Sequence, residues 1–138
     1  MTFWLIKSEA EIFFIEQHDV HRDLAVASFS VMQARLRFNI CGLETSYLHN
    51  SEVVGLDKKI EENIPLHLSY SCRFWATHLQ NAKFDSELLQ MVRGLVTGMQ
   101  MLFWLEALGV SKFITEAHWA LTLTERWLQV RIFSDNMG

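Results

Sequence analysis

Apolar positions along this chain recur mostly at helical spacing. In the run NIPLHLSYSCRFWATHL, from Asn63 to Leu79, Leu68, Cys72, Trp75, Ala76 and Leu79 fall at i, i+4, i+7, i+8 and i+11. That is a continuous stripe on a helix of 3.6 residues per turn. Tyr70 and Phe74 make a second stripe beside it, so several neighbours must pack this helix. Pro65 suits the first helical position, where its missing N–H would have no partner and its φ is already helical. The pattern predicts a helix from Pro65 to about Gln80.

The same reading places the other elements. Asp19 is a good N-cap for a helix from Val20 to about Phe38. Val20, Leu24, Val31 or Met32, and Leu36 form its apolar face, with Arg22, Asp23, Gln33, Arg35 and Arg37 mostly opposite. Before it, IFFI at 12–15 fits a short strand or an extended segment, and four residues do not set a period. NICGLETSYLHNSEVVG reads as a loop holding at most one helical turn, followed by a short helix from Leu56 to Glu62. Asp85 then caps a long pattern through Leu108, with Leu88, Val92, Leu95, Met99 and Leu102 on one stripe and a break or kink expected at Gly94 and Gly98. Gly109 is the expected stop. Thr115, with Glu116 beside it, opens a last helix carrying Ala117, Ala120, Leu121, Trp127 and Leu128, and RIFSDNMG is expected to fray.

Composition sharpens this into a fold class. With 138 residues, half of them hydrophobic, one Pro and six Gly, the chain lacks the punctuation a strand-and-turn protein needs. The expectation is a single all-α domain, an irregular bundle of about five helices with a short N-terminal strand. Its net charge of −4 comes without a basic stripe, which argues against nucleic acid as a partner. No basic region precedes the first apolar piece, so no secretory signal is expected. GLVTGMQMLFWLEALGV at 94–110 is interrupted by Gln100 and Glu106 and is shorter than the ~20 apolar residues of a spanning helix, so membrane association is not expected. Ten Phe and five Trp exceed what so small a core requires, and part of that surface is expected to be covered by another domain or partner.

Candidate chemistry is sparse. The phosphate-binding loop, the dinucleotide fingerprint and the G-x-S-x-G elbow are all absent. Cys41 and Cys72 sit in apolar surroundings and read as buried, reduced thiols. His18 and His21 at i, i+3, beside Glu16, Asp19 and Asp23, have the spacing of a divalent-metal pair, although a solvated helix start explains them more simply. His67, Cys72 and His78 share a helix but do not converge. Glu106 stands alone in FWLEALGV and reads as reaching the surface or a basic neighbour. GLVTG reads as a packing notch or a kink before a dimer motif. Met91, Met99 and Met101, with Phe103 and Trp104, read as core filling. No catalytic residue, cofactor, metal or small-molecule substrate is assigned, and the chain is not expected to be an enzyme.

Three successive pieces, LRFNICGLETSYLHNSEV, LDKKIEENIPLHLSYSCRFWATHL and MLFWLEALGV, followed by EAHWALTLTERWL, resemble the region after the NACHT nucleotide-binding domain of fungal NOD-like receptor proteins, many of which continue into WD40 repeats. IFFIEQHDVHRDLAVASFSVM looks like the end of the preceding winged-helix part and the helix after it. The likeness runs from about Ser8 to Leu128. It implies the end of a winged-helix part over 1–18, a helical bundle over 19–130 and a tail over 131–138. The chain has no Walker A lysine, Walker B acids or WD40 repeats, so neither nucleotide binding nor hydrolysis carries over. The resemblance implies a non-catalytic, cytoplasmic relay or interaction module in non-self recognition and programmed cell death, as a fragment or shortened paralogue. Its partners would be NACHT-type relatives or further copies of itself. Tyr70, Phe74, Trp75, Phe103, Trp104 and Trp127 are the expected interaction and packing residues. The competing expectations are an inactive remnant that folds poorly, a small metal or thiol enzyme using His18, His21 or Cys72, and membrane association through 94–110.

Overall fold

A computed structural model describes residues 2–42 and 55–137, with side chains described over 17–42 and 55–130. Among these residues every regular element is a helix: α1 (Thr2–Arg35), α2 (Leu56–Asn63), α3 (Leu66–Asn81), α4 (Ser86–Val96), α5 (Met99–Val110) and α6 (Thr115–Met137). The all-α expectation holds, with six described helices in place of about five. Of the expected 39–55 loop, residues 43–54 lie outside the described ones.

α1 corrects the reading of the N-terminal part. It is one helix of 34 residues, about 51 Å long at 1.5 Å per residue. It runs straight through IFFI, so the expected strand is helical, and Asp19 sits in mid-helix where it caps nothing. The physical reason lies in what the segment lacks. No Gly or Pro interrupts residues 1–35, and once nucleated a helix gains one hydrogen bond for each residue added. It stops at Arg35, short of the expected Phe38. The chain turns there through Asn39 and Gly42, both at positive φ (51° and 62°), closed by the Gly42 N–H donating to the Asn39 carbonyl at 2.8 Å.

α3 is the central helix, packed chiefly against α1 and α6. Pro65 is its N-cap, one position before the expected site. Its backbone is extended, and its carbonyl accepts from the N–H groups of Leu68 and Ser69, each at 3.0 Å. The predicted stripe is buried as expected: Leu68, Cys72, Trp75, Ala76 and Leu79 all lie in the core. Trp75 is fully enclosed. Trp104 meets it edge-on at 5.5 Å between ring centroids, and Phe29 from α1 lies at 5.3 Å. The Trp104 indole donates to the Cys72 carbonyl at 2.8 Å. The Trp127 indole donates to the Ala82 carbonyl at 3.3 Å, and its ring stacks on Phe84 at 5.0 Å.

The long pattern from Asp85 divides into two helices. Asp85 caps α4 as predicted, its Oδ1 accepting from the N–H groups of Glu87 (2.7 Å) and Leu88 (3.3 Å). At Thr97 and Gly98 the chain breaks, and α5 leaves at 73° to α4. The turn divides the predicted stripe. Leu88, Val92 and Leu95 stay buried, whereas Met99 and Leu102 are 61% and 57% exposed, and α5 instead buries Trp104, Ala107 and Leu108. Gly109 is also reassigned. It lies inside α5, which ends at Val110 with Ser111 as its C-cap and Lys112 beyond it at φ 66°. The Phe113 N–H donates to the Leu108 carbonyl at 2.8 Å and the Lys112 N–H to the Gly109 carbonyl at 3.1 Å, a Schellman ending with lysine where glycine is usual. α6 opens at Thr115 as expected. It remains helical to Met137, where a frayed tail from 131 was expected.

Candidate functional site: an exposed aromatic face and a histidine contact

The six expected interaction or packing residues separate by environment. Trp75, Trp104 and Trp127 are buried and serve the core, and Phe103 is half-buried against it. Only the second stripe of α3 reaches the surface, through Tyr70, 43% exposed, and the half-buried Phe74. Their rings lie 5.0 Å apart. Beside them the Arg73 guanidinium sits 3.9 Å over the Phe113 ring and 5.0 Å from that of Phe74. Arg73 also forms a bidentate pair with Glu116, both contacts at 3.0 Å. Two parallel charge-assisted bonds hold the planar guanidinium in a fixed orientation, so α3 and the first turn of α6 are locked together there.

Sequence reasoning missed one member of this face. Trp119 is 54% exposed, with the Arg126 guanidinium 5.6 Å from its ring. It borders a cavity of about 170 Å³ with Arg73, Phe74, Thr77 and Glu116. A signal was present: on a helix whose buried positions include Ala117, Ala120 and Trp127, position 119 lies to one side of the buried stripe rather than on it. A larger groove of about 310 Å³ opens between α2, the start of α3 and the α5–α6 turn. Ile60, Ile64, Leu66, Val110 and Phe113 line it, with Asp57, Glu61 and Lys112 at the rim. A third cavity of about 240 Å³ lies between α1, α4 and α5, with Phe29, Met32, Met91 and Leu95 as its apolar lining and Gln33, Gln90 and Gln100 beside them.

The titratable candidates fall elsewhere. His18 and His21 do not form a pair with each other. His18 Nδ1–H donates to the Asn81 carbonyl at 2.8 Å, while His21 Nδ1 meets His78 Nδ1 at 3.1 Å, joining α1 to α3. The Tyr70 hydroxyl lies 2.5 Å from His78 Nε2. Burial, and then the nearby His21, push the His78 pKa below the usual histidine value. Among the described residues no group of three or more His, Cys, Asp or Glu could hold a metal ion.

Cys41 and Cys72 are both free and buried. Burial raises the Cys72 thiol to about 12, which leaves almost no thiolate at neutral pH. The Cys41 thiol is raised by burial and then by the Glu106 charge. Glu106 has a structural partner that the sequence did not disclose: its Oε1 accepts from the Ile40 N–H at 3.1 Å, pinning the turn after α1 to α5. Gly94 and Gly98 form no close helix contact, since a Cβ at Gly94 would meet nothing within 4 Å and one at Gly98 only the Gly94 carbonyl at 3.5 Å. The GLVTG pattern therefore marks the α4–α5 kink.

No single described helix is long and apolar enough to cross a membrane, and the α4–α5 pair passes that test only as two segments bent by 73°. No family model, curated protein or solved structure matches the chain.

Proposed function

We propose that this chain is a non-catalytic helical interaction module of the kind that follows the NACHT domain in fungal NOD-like receptors, acting in the cytoplasm and docking through its α3–α6 aromatic face. In that family the equivalent region relays the nucleotide state of the ATPase to the sensor repeats, in non-self recognition and programmed cell death. The observation that carries the docking face is Trp119, a tryptophan more than half exposed that borders one cavity with Phe74 and the Arg73–Glu116 pair. Trp, Tyr and Arg supply most of the binding energy at protein interfaces, because a large rigid surface is buried at small entropic cost. The family part of the reading rests on the resemblance of NIPLHLSYSCRFWATHL and FWLEALGV. Full-length NACHT proteins, or further copies of this chain, are the proposed partners.

The test is a pull-down of immobilised full-length NACHT proteins with the purified chain, followed by titration of any complex. Binding should weaken by about 30-fold, or ~2 kcal/mol, in Trp119→Ala with the fold intact by circular dichroism. Recovery of no NACHT protein would remove the family reading. Binding unchanged in Trp119→Ala would move the interface to another face.

A further inference from the structure

His21 and His78 project from different helices and face each other through the same type of atom. Their Nδ1 atoms are 3.1 Å apart and their ring centroids 5.3 Å apart. One Nδ1 must donate and the other accept. A neutral pair satisfies this, and so does a singly protonated pair, in which the imidazolium donates to the neutral ring. A doubly protonated pair does not, because two N–H groups and two positive charges would then oppose each other at hydrogen-bond distance.

Among the described residues no carboxylate contacts either ring, so a second charge would have no direct counter-ion. His78 is 7% exposed, so water screens it poorly. The groups around the pair are His18, Asp19, Arg22 and Asp23 on α1, Tyr70 and Asn81 on α3, and Asp85 and Glu87 at the start of α4. His18 donates to the Asn81 carbonyl. Arg22 is closed into ion pairs with Asp85 at 2.6 Å and Glu87 at 2.9 Å, with Asp23 at 3.9 Å. The Tyr70 hydroxyl, at His78 Nε2, donates or accepts as the tautomer requires and brings no charge.

We propose that the His21–His78 contact is an acid-operated clasp between α1 and α3, closed while the pair carries at most one positive charge and opened when both rings are protonated. It lies in the interface between α1 and the central helix, so opening it loosens the longest helix of the molecule from its main support. The lowered His78 pKa acts in the same direction. The folded state prefers neutral His78, so the stability it contributes is complete above the unfolded histidine value of about 6.5. It is lost as pH falls from there through the folded pKa. The two rings and their protons define the clasp without any ligand of the aromatic face, although Tyr70 belongs to that face and also meets His78.

The experiment is a set of thermal melts between pH 8 and 5 on the wild type, His21→Gln, His78→Gln and the exposed control His118→Gln. Glutamine retains a polar side chain and cannot acquire the charge. The wild type and His118→Gln should lose on the order of 5 °C more of Tm across this range than His21→Gln or His78→Gln. Acid effects on the carboxylates are common to all four and cancel in the comparison. Should His78→Gln fail to fold, His21→Gln against wild type carries the test alone. Long-range ¹H–¹⁵N spectra of the imidazoles should show the second protonation coinciding with loss of the α1–α3 contacts. Equal pH dependence in the wild type and His21→Gln, or both rings protonated with those contacts intact, would overturn the proposal.

Discussion

Two regions of the molecule bury apolar surface in different ways. Around Trp75 the core is closed: α1, α3, α5 and α6 supply Phe29, Leu79, Trp104 and Leu123 respectively, and two of the core tryptophans, Trp104 and Trp127, are fixed by indole hydrogen bonds to carbonyls. At the α4–α5 corner the chain turns by 73° and leaves Met99 and Leu102 largely in water. Both regions began as apolar stripes of similar strength in the sequence. What separates them is backbone continuity. The stripe of α3 stays in register for the whole helix, whereas Thr97 and Gly98 rotate the second half of the other stripe out of line. Hydrophobic patterning therefore places a residue in the core only as far as the helix carrying it remains unbroken.

The sharpest way to break this contrast is Trp75→Ala. Removing a fully enclosed indole from the closed region should cost about 3–5 kcal/mol in urea unfolding, and a loss under 1 kcal/mol would mean that the region collapses as easily as an open one. Next comes Asp85→Ala, at the entry to α4. It removes the cap and the ion-pair partner of Arg22, and should cost about 1–2 kcal/mol by thermal melting. The Arg22 hydrogen bond, followed by the N–H groups of Glu87 and Leu88, holds the Asp85 carboxyl below its usual value. Its contribution is therefore present above about pH 4 and lost as pH falls through the folded pKa, so the difference between wild type and Asp85→Ala should shrink in strong acid.

A smaller effect, of opposite sign, is expected at the corner itself. Gly98 is the N-cap of α5 with extended backbone and no side-chain cap, and there is room for a Cβ. Gly98→Ser should therefore stabilise by about 0.5 kcal/mol, read as a higher urea midpoint at unchanged slope. The smallest change belongs to Trp119→Ala, which should leave stability within about 0.5 kcal/mol of wild type. A larger loss would make Trp119 a packing residue and remove the argument for a docking face.

Much of the helical layout was legible from local signals. Asp85, Thr115 and the stripe of α3 were read correctly because caps and 3.6-residue periodicity are carried by neighbouring residues. The N-terminal strand was not legible because the four residues of IFFI set no period, and what decides the segment is the absence of Gly and Pro across residues 1–35. Residue type alone points to Gly109 as the stop, yet the positive φ falls on Lys112, next to Phe113, which packs against the core and donates to the Leu108 carbonyl. The site was less legible still. The Glu106 bond to the Ile40 N–H and the meeting of His21 with His78 join residues more than fifty positions apart, and no local pattern records such a pairing. Trp119 could have been found by asking which aromatic falls off the stripe.

The Trp75 indole N–H is the one described buried side-chain polar atom without a hydrogen-bond partner, and this gives the molecule an optical asymmetry. An indole in a dry site with no acceptor emits at the blue end of the tryptophan range and resists collisional quenchers. Trp119, wetted on one face, emits further to the red and is quenched readily. With Trp4, Trp104 and Trp127 replaced by phenylalanine, a single emission spectrum thus reads two places at once. A red edge that moves while the blue edge holds reports an event at the surface, and a blue edge that moves reports the core coming apart.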